Sequence, residues 1–263
     1  MLTIKNYVRA QSLEEAYELN QKKSNCIIGG MMWLRMTTRK VQTIIDLCEL
    51  GLNKIEETAE EFSLGAMVTL RQLETHAGFN TYTQGCMAKA VQDIVGVQFR
   101  NGATLGGSIF GRFGFSDVMT IFLAMDAYVE LFKGGIIPLS QFVKMKYDRD
   151  LLLRIIVKKK PAVFSYQAMR IQRTDFPVLT CAASKVGDEF KVVIGARPGV
   201  ASLVLDEENI LAAGINEESS AKFADYVTSS IETKSNSRGS AEYRKHLAKV
   251  LTKRALDEIG GKL

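Results

Sequence analysis

The stretch Val97-Gln98-Phe99-Arg100-Asn101-Gly102-Ala103-Thr104-Leu105-Gly106-Gly107-Ser108-Ile109 says more about the fold than any other part of the chain. A basic residue and an amide stand at an expected turn, Arg100-Asn101-Gly102. A short apolar run follows, and a glycine pair then ends in a small hydroxyl, Ser108. Two neighbouring residues without Cβ let the backbone approach another group closely. They also permit positive-φ conformations that turn successive N–H groups toward one point. Such a nest suits a phosphate or diphosphate. A Gly-Gly turn joining two strands would explain the same residues.

A second pair bears on that choice. Ser24-Asn25-Cys26-Ile27-Ile28-Gly29-Gly30 reads as a short buried strand running into another glycine turn, and Met31 to Met36 continue with helix-compatible residues. A strand, a glycine turn and a helix start aim backbone donors and the positive end of a helix at an anion. Neither the dinucleotide fingerprint G-x-G-x-x-G nor a Gly-Lys-Ser/Thr phosphate loop is present. Two glycine nests far apart in sequence suit one diphosphate if they converge, and spacing alone does not establish that they do.

Taken together, these residues make the chain resemble the FAD-binding subunit of the xanthine dehydrogenase family of molybdenum hydroxylases, which includes carbon monoxide and nicotinate dehydrogenases. Ile28-Gly29-Gly30 matches the first diphosphate loop of that family and Arg100 to Ile109 the second. Ser116-Asp117 matches the Ser/Gly-Asp that follows. Arg173 and Asp175 fall near an Arg-x-x-Asp-like element. Gly195-Ala196-Arg197-Pro198 and Ser240-Ala241-Glu242-Tyr243-Arg244 match two elements of a C-terminal domain. The match is collinear over nearly the whole chain.

The resemblance implies an α+β protein with a two-lobed FAD-binding domain of the PCMH type (vanillyl-alcohol-oxidase-like). A C-terminal domain follows, a three-stranded antiparallel sheet packed with helices. Local signals near Asn53–Glu57 and Pro161 set the expected boundaries at 1–56, 57–160 and 161–263. The resemblance implies FAD as cofactor, held by Ile27, Ile28, Gly29, Gly30, Met31, Met32, Trp33, Thr104, Gly106, Gly107, Ser108, Ile109, Arg112, Ser116, Asp117 and Lys185. The partners implied are a [2Fe-2S] iron–sulfur subunit and a molybdopterin-binding subunit that hydroxylates the substrate. Electrons then leave the flavin for NAD or another acceptor. Two other functions are compatible: a stand-alone FAD oxidoreductase, and a structural subunit that has lost its flavin.

Composition is consistent with such a division of labour. A chain of 263 residues, 46% hydrophobic, buries a substantial core in one or two domains. Its four cysteines (Cys26, Cys48, Cys86, Cys181) are scattered with no C-x-x-C, and there are only two histidines, His76 and His246. An iron–sulfur cluster or a histidine metal site is therefore not expected here, and any redox metal belongs to another chain. No residue reads as a convincing acid, base or nucleophile, which suits a protein that binds and tunes a flavin. The amino terminus lacks the apolar core of a signal peptide and no run is long enough to span a bilayer, so the cytoplasm is expected. The net charge of +5, densest at Lys158-Lys159-Lys160, comes without interleaved aromatics, so nucleic acid is not expected.

Local signals set the order of elements. Ser12-Leu13-Glu14-Glu15 and Thr69-Leu70-Arg71-Gln72 are capping boxes that open helices. Strands are expected at Ile27-Ile28, Thr43 to Leu47, Phe62 to Ala66, Ala127 to Phe132 and Ile136-Ile137. An apolar helix runs from Asp117 to Asp126. Strands at Val163–Gln172 and Val178–Val186 lead into a Gly187-Asp188 hairpin and a further strand through Ile194. Helices follow at about Ser219–Ile231 and Ser240–Ile259. Asp117 reads either as an acceptor in the flavin site or as an N-cap. Tyr166 reads as a buried aromatic or a ring shield, and Lys185 as a strand-end lysine or a neighbour of the flavin. Met31 and Met32 stand where the family often carries hydroxyl, acidic or amide groups, and offer no comparable donor or acceptor. Arg112 either restores charge to the diphosphate site or points into solvent.

Overall fold

The computed structural model describes residues 1–263. The first elements are β1 (Thr3–Arg9), α1 (Leu13–Asn20), β2 (Cys26–Ile28), β3 (Lys40–Asp46), β4 (Ile55–Glu57) and β5 (Glu61–Gly65). A helical stretch follows with α2 (Leu70–Thr75), α3 (Ala77–Tyr82), α4 (Cys86–Val91), α5 (Val97–Gly102), α6 (Leu105–Phe110) and α7 (Asp117–Leu123). Then come β6 (Ala127–Leu131), β7 (Gly135–Pro138), α8 (Leu139–Phe142) and β8 (Leu152–Lys158). The chain finishes with β9 (Ala162–Met169), β10 (Leu179–Val186), β11 (Glu189–Gly195), β12 (Ser202–Leu205), α9 (Glu217–Ser230) and α10 (Ala241–Gly260). These elements divide into two compact units, and the chain passes between them several times.

The first unit comprises residues 1–73, 97–111 and 127–157 and contains two sheets. Three parallel strands in the order β1-β3-β2 form one. A parallel pair needs a crossover, and α1 supplies it. Its start is the expected one: Ser12 Oγ accepts from the N–H of Glu15, and the Glu15 carboxylate accepts from Gln11 N–H. Ala16 of α1 packs with Ala10, Ile45, Leu47 and Leu153 in a small apolar core. The second sheet has five strands ordered β4-β5-β8-β6-β7. Its expected β6–β7 hairpin turns at Gly134-Gly135, where Gly135 has φ +67 and Asp150 accepts from the N–H groups of Lys133 and Gly134. Thr69 and Gln72 bond reciprocally at the head of α2, as the second capping box requires.

The second unit comprises residues 74–96, 112–126 and 158–263. Its sheet runs β12-β11-β10-β9 and every pair is antiparallel. The three expected strands are there, extended by a fourth, short edge strand, β12. Its four residues were too brief for an alternating pattern to register. Helices α9 and α10 cover one face. Leu247, Leu251, Ala255, Leu256 and Ile259 of α10 bury against Cys181, Ala183, Val192 and Ile194 of the sheet. Each large aliphatic contributes about 1.5–3 kcal/mol by leaving water, so this face is a substantial stabilising contact of the unit. Buried Arg244 of α10 donates to the carbonyls of Val178, Lys234 and Gly239 and to Asn236 Oδ1, which ties the 234–239 loop to the start of β10.

Two local expectations change. Arg100-Asn101-Gly102 is the end of α5, not a turn. Gly106 and Gly107 lie in the first turn of α6, and neither is among the positive-φ glycines. Thr104 is the reason: its side chain accepts from Gly107 N–H, a helix cap that draws the glycine pair into the helix.

Candidate functional site

In the first unit, the two glycine motifs, some seventy residues apart in sequence, meet. Strand β2 ends at Ile28, level with Asp46 on β3, and the chain then turns through Gly29 to Trp33. A Cβ built on Gly30 would overlap the carbonyl oxygen of Gly102, and one on Gly29 would overlap Thr104 Oγ1. One built on Gly102 would overlap Met32 Cε. The 29–33 turn is thus seated directly on the 102–104 segment, and glycine is required at position 30 because protein backbone fills the space a side chain would need, whereas at 29 and 102 the neighbours are side chains. Trp33 and Phe99 add a ring contact with centroids 5.5 Å apart.

The donors are unevenly shared. At the head of α6, Leu105 N–H donates to Val68 O (2.7 Å), Gly106 N–H to Ala66 O (2.8 Å) and Gly107 N–H to Thr104 Oγ1 (3.2 Å). Ser108 donates through both N–H and Oγ to Thr104 O. In the 29–33 turn, by contrast, the N–H groups of Gly29, Gly30, Met31 and Met32 donate to no acceptor of the chain. Met31, at φ 56, is held in the left-handed region, which turns neighbouring N–H groups to one side. These residues are half-exposed, so their donors are open to water or to an anion. The second motif is therefore a shaped wall rather than a second nest. Buried Thr104 presents the hydroxyl hydrogen left over when its oxygen accepts from Gly107. Ile28 and Ile109 are buried, and Ile27 is half-buried.

The remaining expected site residues belong to the second unit. Arg112 is buried rather than solvated and has φ 45. Ser116, not Asp117, caps α7: its Oγ accepts from Met119 N–H at 3.0 Å. Asp117 is the first helical residue and is 4% exposed. Its Oδ1 accepts from Tyr166 Oη at 2.5 Å and from the Arg170 guanidinium, which also donates to Asp175 O at 2.6 Å. Burial pushes the Asp117 carboxyl up to about 6 while Arg170 and Tyr166 pull it back down. Burial and the neighbouring carboxylate push the Tyr166 phenol well above its usual range. Tyr166 is thus a buried aromatic with a polar tip, the first of the two roles its sequence allowed. Lys185 lies on β10 with Nζ 5.4 Å from the centre of the Phe190 ring. Of the Arg-x-x-Asp-like pair, Arg173 is solvent-exposed and bonds Asp93, while Asp175 caps the N–H of Phe176. Ala196 N–H donates to Gly114 O at 2.8 Å, which joins the Gly195–Pro198 element to the loop before α7. Arg170 escaped sequence reading because an arginine at a strand end carries no signal of burial.

Comparison with known proteins puts these features in context. The family described as the FAD binding domain in molybdopterin dehydrogenase matches residues 2–159, and the CO dehydrogenase flavoprotein C-terminal domain matches residues 164–259. The glyceraldehyde dehydrogenase medium chain of Sulfolobus acidocaldarius is 26% identical, the match covering 97% of this chain and 98% of that one. The xanthine dehydrogenase FAD-binding subunit of Escherichia coli O157:H7 is 27% identical over the full length of both. Among solved structures, quinoline 2-oxidoreductase from Pseudomonas putida 86 superposes with TM-score 0.84 at 20% identity, covering 98% of this chain and 97% of the other. Carbon monoxide dehydrogenase from Oligotropha carboxidovorans does so with TM-score 0.87 at 19% identity, covering 99% of each. The α+β fold is that of these flavoprotein chains, and the two family matches together span almost every residue. The chain belongs to the FAD-binding subunits of the xanthine and carbon monoxide dehydrogenase family of molybdenum hydroxylases and is an oxidoreductase subunit.

Proposed function

We propose that this subunit holds the FAD diphosphate on the four unpartnered N–H groups of Gly29 to Met32, with the Thr104 hydroxyl as a further donor. That array is the observation that carries the reading. An anion needs donors that the fold has not already used, and the chain has placed four in one turn. The methionines at 31 and 32 do not prevent this, because the donors are backbone groups. Ile27, Ile28, Trp33, Gly106, Gly107, Ser108 and Ile109 shape and support the cradle. Ser116 and Asp117 remain proposed flavin residues on the strength of the family pattern, and Arg112 and Lys185 remain so on the strength of their positive charge.

The reading extends to electron flow. Bound flavin supplies one- and two-electron chemistry; the chain's own residues bind and orient it. We assign to this subunit the transfer of electrons from a [2Fe-2S] partner, reduced in turn by a molybdopterin-binding partner, to NAD or another acceptor. Two relatives are named as medium subunits or chains of dehydrogenases and hydroxylases, which supports a divided enzyme. Domain limits at 1–56, 57–160 and 161–263 and a cytoplasmic location go with this proposal; no helix is long and apolar enough to cross a membrane. Flavin absorption of the purified chain, before and after incubation with FAD, tests it. A yellow protein with stoichiometric FAD is expected. A chain that stays colourless with excess FAD would instead be a structural subunit, and robust substrate turnover by the isolated chain would make it a stand-alone oxidoreductase.

A further inference from the structure

In the first unit, the charge of the chain is gathered at one end of the parallel sheet. Residues 1–13 and 19–45 hold no Asp or Glu but carry seven Lys and Arg. Five of these, Lys5, Lys22, Lys23, Arg39 and Lys40, equal the whole net charge of +5, so the remainder of the chain is balanced. Topology collects the five. Thr3 pairs with Lys40, Thr3 N–H donates to Arg39 O at 3.0 Å, and Gln42 N–H donates to Ser24 O at 2.8 Å. The starts of β1, β3 and β2 therefore lie side by side, within roughly 10 Å. All five side chains are exposed and none has a carboxylate within ion-pair distance, whereas Arg9, at the far end of β1, is bound to Glu49. This end is also the opposite one from the 29–33 turn: Lys40 stands about 20 Å along β3 from Asp46, which is level with Ile28. These cations therefore serve another partner than the diphosphate.

An exposed aromatic stands beside them. Tyr7 shares the face of β1 that carries Thr3 and Lys5, and the Thr3–Lys40 pairing puts Lys40 on that face too. Tyr7 is 53% exposed, and its hydroxyl donates to Asp46 Oδ2 at 2.5 Å. The ring is thus held in the open in one orientation, with little side-chain freedom left to lose on contact. β1 is itself an edge of the sheet, and the neighbouring Ile4 is 41% exposed. A fixed tyrosine beside unpaired cations is the make-up of a protein-binding surface, in which the aromatic anchors while the charges steer and select. The cluster is compact, roughly 10 Å across, and not a groove along which a nucleic-acid backbone runs. We propose, on the reading above that this is one subunit of a divided enzyme, that this end of β1 docks a carboxylate-rich surface of a neighbouring subunit. Tyr7 is its anchor, and Lys5, Lys22, Lys23, Arg39 and Lys40 supply the orienting field. Without that partner the same charges keep the open edge of β1 from pairing with copies of itself.

The experiment uses the enzyme assembled by co-expression with its [2Fe-2S] and molybdopterin-binding subunits. A carbodiimide joins a lysine amine to a carboxylate only where the two touch, and mass spectrometry reads the junction. Links from Lys5, Lys22, Lys23 or Lys40 to Asp or Glu of a neighbouring subunit are expected. Reversing four charges together (Lys22→Glu, Lys23→Glu, Arg39→Glu and Lys40→Glu) should slow association with the other two subunits by about tenfold or more at low salt, and remove most of its salt dependence. Tyr7→Ala should speed dissociation by about tenfold. FAD content and thermal melting of both variants should stay close to wild type. If the reversed chain does not fold, the cross-links on wild type decide. A complex whose four lysines stay unlinked and as open to acetylation as in the isolated chain would overturn the assignment, as would a reversed chain that associates at the wild-type rate. So would binding of the isolated chain to a DNA duplex or to phosphatidylserine vesicles that the reversal abolishes while assembly stays intact. A wild-type chain that binds FAD yet joins neither subunit would bring down the divided-enzyme reading itself, an outcome distinct from loss in the variants alone.

Discussion

Adjacent glycines in α6 should respond to the same substitution in opposite ways. A Cβ on Gly106 would stand 2.6 Å from Ala66 O and 2.7 Å from Ala66 Cβ, well inside ordinary van der Waals contact. The obstacle is another backbone segment, and Gly106 N–H is bonded to that same carbonyl oxygen at 2.8 Å. Accommodation requires the helix head to move by the better part of an ångström, which strains or breaks this bond. Overpacking of this kind costs about 1–3 kcal/mol and the hydrogen bond about 1 more. Gly106→Ala should therefore lose about 2–4 kcal/mol. A Cβ on Gly107 meets only the Thr104 hydroxyl, at 3.1 Å, on a side chain able to give by tenths of an ångström. Replacing a helical glycine by alanine gains up to about 1 kcal/mol, so Gly107→Ala should keep wild-type stability within about 1 kcal/mol. Urea unfolding of the two apoproteins measures the contrast. FAD titration then separates shape from contact, since Gly107→Ala weakens binding only if the ligand approaches that face. Equal stabilities for the two variants would refute the packing argument.

Two further outcomes follow from the second unit. The folded-state value of Asp117, about 6, lies above the ordinary carboxylate value, so the native state holds this proton more tightly than the unfolded chain. Its contribution to stability is complete below about pH 4 and is lost as pH rises through about 6, a change of roughly 3 kcal/mol; the wild-type minus Asp117→Asn difference in unfolding free energy across pH 4–7 should show that fall, and a rise would contradict it. Arg244→Met should cost about 3 kcal/mol in the same assay, because it leaves the carbonyls of Val178 and Lys234 without the donor it supplies and Gly239 O with the Asn236 N–H alone.

Sequence legibility followed the range of the interactions. Caps at Ser12 and Thr69 were readable because both partners lie within four residues, and the Gly187 hairpin because its turn is local. Strand β1 was not read: its residues are mostly exposed, so no apolar alternation marks it, and its identity depends on pairing with β3 about forty residues later. The 70–102 helices are each about six residues long, too short for a helical period to register. At the site, the meeting of the two glycine motifs was expected only as a possibility, since no local rule links Gly30 to Gly102. Thr104 was included among the binding residues, but its capping role, which reclassifies Gly106-Gly107 from turn to helix, was not seen. The Asp117–Arg170 pair spans fifty-three residues and left no trace in the sequence.

The glycines carry a further lesson about what the motif encodes. A reading from residue types assigns them to ligand approach, whereas the geometry at Gly29, Gly30, Gly102 and Gly106 assigns them to approach of protein upon protein. The two purposes are linked. Seating the 29–33 turn on the 102–104 segment fixes the backbone around Met31 in the left-handed region, which an isolated chain would adopt only at a cost. That fixed backbone is what leaves four consecutive donors unused and exposed. Ordering such a turn upon binding would consume part of the affinity for a diphosphate. Ordering it during folding, through glycine contacts that have no ligand in them, transfers that cost to the fold. The motif thus acts through preorganisation, and a substitution that loosens the interlock should weaken anion binding even when the substituted residue touches no part of the ligand.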